Sequence, residues 1–255
     1  MTISKSVHGA GADIVVIHGW GMNSNVWQTL IPELSDSFRV TSIDLPGFGD
    51  SNDQQLADSV AVVCKQLLPA LPESFHILGW SMGGLIATEL SLTQPQRVLS
   101  LATVGSSPFF IEESSWPGIK ASLMQQFYQQ LDQDFGKTIE RFMAVQAMGS
   151  PYAKALIKQV REWVFAKPMA NPKSLLAGLK LLEETDFRTK LGEINQPFIR
   201  FYGRLDSLVP AAAINLIDEL APDSECEVFP HCAHMPFISQ THDFATRYRR
   251  FLSAV

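Results

Sequence analysis

Short runs of consecutive apolar residues punctuate the chain at 14–17 (Ile14, Val15, Val16, Ile17), 39–43, 75–78 and 98–104. Runs that are nearly continuous, and not alternating, predict strands buried on both faces, as in a parallel sheet sandwiched between helices. Segments 54–68 and 83–94, lying between these runs, are read as helices. The pattern resumes late, with strands predicted at 198–202 and 226–229, a helix between them, and a final helix from Thr241. Between 109 and 186 the character changes. No strand pattern occurs there, and apolar residues recur at helical spacing, as in Leu123, Phe127 and Leu131, then Ile139, Phe142 and Met143. Trp116-Pro117-Gly118, Gly149-Ser150-Pro151 and Asn171-Pro172 interrupt it, because Pro and Gly do not continue a helix. The prediction is an α/β core made of 1–108 and 187–255, with a mostly parallel central sheet and helices on both faces. Residues 109–186 are inserted into it as a cap of about four helices over one edge of the sheet. That apolar insertion needs the core as a packing partner, being short for a separate fold.

Composition narrows the class. A chain of 255 residues suits one large domain with an insertion. With 46% hydrophobic and 18% charged residues, disorder is excluded. No apolar run approaches the roughly 20 residues of a membrane span, and the first twenty residues lack a signal-peptide pattern. A cytoplasmic monomer with no membrane partner is expected. The formal net charge of −6 offers no support for nucleic-acid binding. Cys64, Cys226 and Cys232 form a sparse, odd set with no CxxC pair, so neither a disulfide framework nor a zinc site is expected.

Candidate chemistry centres on Gly79-Trp80-Ser81-Met82-Gly83-Gly84, directly after the 75–78 strand and before an apolar helix. This is the G-x-S-x-G nucleophile elbow in its strand–turn–helix context. Glycines two residues either side let strand and helix approach, while the turn lifts the hydroxyl to a helix N-terminus that favours developing negative charge. The plainer reading is a structural glycine-rich turn. His18-Gly19-Trp20-Gly21 follows the first strand. His18 sits too early to serve as base and is read as ordering the turn, and Trp20 either packs or lines a pocket. A serine nucleophile needs a base and an orienting acid. After Ser81 the histidines are His231, His234 and His242. His242 falls in the final helix and reads as surface; His231 and His234 share the loop after the 226–229 strand. Their spacing could suit a metal pair, but no cysteine or carboxylate framework supports one. Asp206 comes four residues past the 198–202 strand and 28 before His234, a position that suits the acid. Asp186 and Asp218 are weaker candidates, and Asp44 reads as a structural turn residue.

These residues resemble the α/β-hydrolase superfamily across the chain outside 109–186. The resemblance implies Ser81, Asp206 and His234 as the triad, preferring His234 over His231, with the main-chain amides of Trp20 and Met82 as oxyanion donors. A narrower likeness rests on several further motifs. They are His18-Gly19-Trp20-Gly21, Asp44-Leu45-Pro46-Gly47-Phe48-Gly49, Ser106-Ser107-Pro108, Glu140-Arg141-Phe142, Gln146 with Met148-Gly149, and Ala233-His234-Met235-Pro236-Phe237-Ile238-Ser239. With Trp116-Pro117-Gly118-Ile119-Lys120, far more specific than the elbow, they are similar to the family of pimeloyl-[acyl-carrier protein] methyl ester esterases of biotin synthesis. That likeness implies a carboxylesterase needing no metal or organic cofactor. It implies an acyl site formed by Trp20, Ser81, Met82, His234 and the segment Phe142, Met143, Ala144, Val145 and Gln146, with Phe142 equally suited to a helix core.

Charge adds a partner. From 137 to 167 there are six basic residues against two acidic ones, a local +4 in an acidic chain. Lys137/Arg141 and Lys154/Lys158 are i, i+4 pairs, each sharing a helical face. Given the resemblance, these faces are expected to dock the acidic helix of acyl-carrier protein; charge alone fits solvated helix faces equally well. The competing functions are a broad short-chain carboxylesterase or carbon–carbon bond hydrolase on the same triad, an acyltransferase, and a non-catalytic ligand-binding hydrolase fold.

Overall fold

A computed structural model describes residues 2–255, apart from the side chain of Asp132. Seven strands form one sheet: β1 (Lys5–His8), β2 (Ala12–Ile17), β3 (Phe38–Ile43), β4 (Phe75–Trp80), β5 (Val98–Val104), β6 (Phe198–Gly203) and β7 (Glu225–Phe229). Their spatial order is β1-β3-β2-β4-β5-β6-β7. From β3 to β7 every neighbouring pair is parallel, and β1 runs antiparallel to β3. β4 and β6 are buried at every position, which is why their sequences read as nearly continuous apolar runs, broken only by the buried His76 and Arg200 and by glycine. β1 carries no such signal. All four of its residues are exposed at the sheet's edge, so nothing in the hydrophobic pattern marks it.

The helices are α1 (Leu30–Ser35), α2 (Val60–Leu67), α3 (Met82–Thr93), α4 (Ala121–Gln133), α5 (Phe135–Ala147), α6 (Ala153–Phe165), α7 (Pro172–Glu184), α8 (Ala211–Leu220), α9 (Pro236–Ser239) and α10 (Thr241–Leu252). On the sheet's two faces, α1 packs on α10 and α2 on α3. The helix predicted over 54–68 starts only at Val60. Ser59, in extended backbone, caps it by accepting the Val62 N–H, while Gln54 is tied elsewhere, its amide donating to the Thr2 carbonyl.

Between β5 and β6 the chain forms α4 to α7, each of 13 residues. Their ends follow local chemistry: Asp134 caps α5 by accepting the Lys137 N–H, and Asn171 caps α7 ahead of Pro172. The four helices do not run along an outer strand. They sit over the carboxyl ends of the inner strands, because polar groups of the loops after β2 and β3 bind their backbone: Asn23 and Asn25 donate to the Val164 and Trp163 carbonyls, and Asn171 donates to the Gly47 carbonyl. Beneath them Trp20, Phe127 and Phe142 form an aromatic cluster with ring centroids 4.8–6.1 Å apart. Cys64 and Cys232 are buried and Cys226 half-buried, all as free thiols. Among the described residues no helix is long and apolar enough to cross a membrane.

Candidate active site

Ser81 stands between β4 and α3 with φ 55° and ψ −120°, the one non-glycine residue at positive φ among those described. Such backbone is costly for an L-residue and persists only where its surroundings enforce it. Two hydrogen bonds do so: the Ser81 N–H donates to the Val104 carbonyl at 3.0 Å, and Ser106 Oγ donates to the Ser81 carbonyl at 2.9 Å. The flanking glycines make room. A Cβ on Gly79 would lie 2.7 Å from the Gly84 Cα, and one on Gly83 would lie 2.7 Å from the His18 carbonyl. The elbow motif therefore reflects steric need. Met82 begins α3, so its N–H is among those a helix leaves without an internal acceptor.

His234 and Asp206 meet across 28 residues. Asp206 Oδ2 lies 2.7 Å from His234 Nδ1, both side chains wholly buried. The other carboxylate oxygen, Oδ1, accepts the N–H groups of Leu208 at 2.8 Å and Val209 at 3.1 Å, which fixes the carboxylate in its turn. The backbone of His234 is held as firmly: its N–H donates to the Gln146 carbonyl at 3.1 Å, and its carbonyl accepts from Trp80 Nε1 at 3.0 Å. His234 Nε2 is buried with no hydrogen-bond partner among the described residues, the Ser81 hydroxyl included. The ring is thus oriented from its Nδ1 side while its Nε2 is left free. Nucleophile–base contacts are commonly long before substrate tightens them. His231 is exposed, and His242 lies on α10 with its ring against Glu33. Asp186 pairs with Arg188, and Asp218 with Arg200.

Gly19 abuts the nucleophile, since a Cβ there would lie 3.1 Å from the Ser81 Cβ. Trp20 follows it, inside a turn closed by the Met22 N–H on the Gly19 carbonyl at 3.3 Å. The Trp20 indole is buried and donates from Nε1 to the Leu175 carbonyl of α7 at 2.8 Å. Gly178, one turn on, is where that helix comes down on the site. A Cβ there would lie 2.5 Å from Trp20 Cδ1 and 3.1 Å from Met82 Sδ.

Of the α5 segment, Phe142, Met143 and Gln146 are buried, Val145 is half-buried and Ala144 is exposed. Five successive helical residues sweep more than a full turn, so they cannot share one lining face; the inward face belongs to Phe142, Met143 and Gln146. Both amide atoms of Gln146 are buried without partners. Lys137, Arg141, Lys154 and Lys158 are exposed on α5 and α6. A surface cleft of about 550 Å³ is lined by Gln130, Gln133, Asp134, Lys137, Thr138 and Arg141.

His18 is fully buried and is not placed to act on substrate. Its Nδ1 faces the Gly19 carbonyl at 2.8 Å and its Nε2 accepts the Leu45 N–H at 3.0 Å, which requires the neutral ring. Burial, partly offset by Asp44 and the Gly19 carbonyl, pushes its pKa down to about 4. Burial opposes ionisation of Asp44, yet His18, Lys167 and the amides of Ser24 and Asp50 outweigh it and hold that carboxyl below the usual range.

Asp44 is structural, in keeping with its sequence setting, but the contacts of Lys167, which entered only as one of six basic residues, of Ser106, which entered only within a motif, and of Gly178 were not legible. A single lysine after an amphipathic helix, or one glycine within a helix, carries no pattern of its own; only the fold shows what each meets.

The chain matches the alpha/beta hydrolase fold family model over residues 14–241. It is 47% identical to the pimeloyl-[acyl-carrier protein] methyl ester esterase of Photobacterium profundum, covering 96% of both chains. Identity to the protein of that name from Aeromonas salmonicida is 45%, over 99% of this chain and 100% of the relative. Among solved structures it superposes on a bromoperoxidase from Bacillus anthracis (TM-score 0.88, 22% identity, 98% and 95% of the two chains). An esterase from Exiguobacterium antarcticum gives TM-score 0.88 at 20% identity, with the same coverage. At those identities the structural likeness speaks to the fold alone.

Proposed function

The chain belongs to the alpha/beta hydrolase fold family, and from that premise we propose that it is a serine carboxylesterase. Its substrate would be the methyl ester of pimeloyl-acyl-carrier protein, hydrolysed to the free carboxylate and methanol in biotin synthesis. The observations that carry the chemistry are a strained Ser81 at the elbow, whose neighbour Trp80 donates to the His234 carbonyl, and a His234 imidazole oriented by a buried carboxylate 2.7 Å away. The substrate assignment rests on relatives of that name, similar over nearly the full chain.

In this mechanism Ser81 Oγ attacks the ester carbonyl as His234 Nε2 takes its proton. Asp206 keeps the Nδ1–H tautomer and stabilises the imidazolium. The amides of Trp20 and Met82 hold the oxyanion, aided by the N-terminus of α3. Collapse breaks the bond to methoxide, which leaves as methanol with the proton from His234. Water then gives its proton to His234 and attacks the acyl-enzyme, and the proton returns to Ser81 as its oxygen departs. Residues 109–186 act as a lid on the core. Ser81 is 1% exposed and His234 wholly buried, so substrate reaches them only when these helices shift. Phe142, Met143 and Gln146 would then line the acyl path.

Lys137 and Arg141 on α5, with Lys154 and Lys158 on α6, offer the carrier a positive surface. Their partners within the chain are exposed, Lys137 to Asp134 at 3.3 Å, Lys158 to Glu162 at 4.0 Å and Arg141 to the Gln126 amide oxygen at 2.9 Å, and exposed ion pairs such as the first two are weak. The test of function is complementation of a biotin-requiring strain that lacks this esterase. Rescue by the wild type and failure of Ser81→Ala is the expected result. Equal growth with both would refute the serine mechanism, and growth with neither would refute the substrate.

A further inference from the structure

The loop from His18 to Ser24, which presents the Trp20 amide, is pinned at both ends by two adjacent residues of the turn after β3. At its start, His18 Nε2 accepts the Leu45 N–H at 3.0 Å. At its end, the Ser24 N–H donates to Asp44 Oδ1 at 2.7 Å. One dipeptide therefore closes the loop like a clasp, with Trp20 between the two fastenings. The clasp depends on a carboxylate whose side chain is 1% exposed. Buried anions are tolerated only with compensating charge and hydrogen bonds.

That compensation comes from the inserted helices. Lys167, just past α6, donates from Nζ to Asp44 Oδ2 at 2.7 Å, to Ser24 Oγ at 2.9 Å and to Asp50 Oδ2 at 2.8 Å. It grips both sides of the clasp at once, the Asp44 carboxylate and the residue that the carboxylate holds. Around it the α6–α7 junction is fastened to the same loops by Asn23 on the Val164 carbonyl, Asn25 on the Trp163 carbonyl and Asn171 on the Gly47 carbonyl. Among the described residues Lys167 Nζ makes no hydrogen bond to Ser81, Asp206 or His234; its contacts are to Ser24, Asp44 and Asp50, at this loop and the turn that clasps it.

We propose that Lys167 is a positioning residue for the oxyanion loop, holding Asp44 and Ser24 together so that the Trp20 amide is aimed at the ester only while the α6–α7 junction is seated. The inference rests on the assignment of Trp20 as an oxyanion donor. It makes the rate of acyl transfer depend on a charge delivered by the lid, a group that never touches substrate. With Lys167 removed, Asp44 keeps its amide donors but loses its cation, and the loop relaxes. An error of about 1 Å in such a donor costs up to 10²-fold in rate.

The test compares wild type with Lys167→Met, Lys167→Gln and Lys167→Arg on a p-nitrophenyl ester and on the carrier-linked methyl ester, at a temperature well below each Tm. The Gln variant retains a donor and folds even if Met, which strands the carboxylate, does not. The expected result is a fall in kcat of about tenfold for Met or Gln on both substrates, with KM within twofold and Arg restoring most of the loss. Reaction with a fluorophosphonate should slow in parallel. Unchanged kcat with only a lowered Tm would make Lys167 purely structural and overturn the proposal. So would a rise in KM confined to the carrier substrate. Failure of the enzymatic reading itself looks different: Ser81→Ala would then match wild type on both esters.

Discussion

Replacing Ser81 by Ala is expected to remove about 10⁶ of the rate. Asp206→Asn leaves the fold intact but favours the wrong tautomer of His234, and should lower kcat by roughly 10⁴-fold when read on a soluble ester. His18 answers to acid differently. Its folded pKa of about 4 lies below the 6.5 of the free side chain, so between those values the unfolded chain binds a proton that the folded one refuses. Stability is therefore intact above pH 6.5 and declines as pH falls towards 4, by about 3 kcal/mol in all. Asp44, held below its ordinary pKa, withdraws its own contribution at still lower pH, when it is finally protonated. Urea unfolding at pH 7 and pH 4.5 should show the first loss, and His18→Gln should flatten the slope between them.

Among the elements, α7 comes down on the side chains of both residues whose amides are the proposed oxyanion donors, at Gly178, where it has no side chain of its own. Gly178→Ala would drive a methyl group into the Trp20 indole. We expect a cost of about 1–3 kcal/mol for that overpacking, with reduced kcat as Trp20 is displaced, read by thermal unfolding and by assay. On α5 and α6, charge reversal at Lys137, Arg141, Lys154 and Lys158 should weaken turnover of carrier-linked ester while sparing a p-nitrophenyl ester; equal loss on both would argue against docking. The strands and the long helices were legible because buried elements repeat their chemistry many times over. β1 was not, being four exposed residues whose only signature is backbone pairing. The elbow could be read because a strained turn demands particular residues, whereas Asp206 and the His231–His234 loop stood out by their places just after β6 and β7. The resemblance, and not spacing, separated the two histidines. The α5 segment was over-read, since five successive positions cannot face one channel and Ala144 points outward.

Over the whole molecule, the insertion reaches every loop of the site. α5 accepts from the His234 N–H and from Ser207 Oγ, α6 is fastened to Asn23 and Asn25, and α7 holds Trp20. The fastenings are uneven. α6 and α7 share a dense set of polar ties with the loops after β2 and β3, whereas α4 packs on α5 and α7 and meets Trp20 through the Phe127 ring, with no hydrogen bond to those loops among the described residues. Hydrogen exchange should therefore be fastest in α4 and slowest at the α6–α7 junction, and opening should begin on the α4 side. Uniform protection across the four helices would contradict this.

The three thiols have a practical outcome. Burial raises the pKa of each, that of Cys64 most of all, so little thiolate is present at neutral pH. The native chain is therefore a quiet background for maleimide dyes. One cysteine introduced on the outer side of α4 would label selectively, and a fluorophore there could report each opening and closing event in real time.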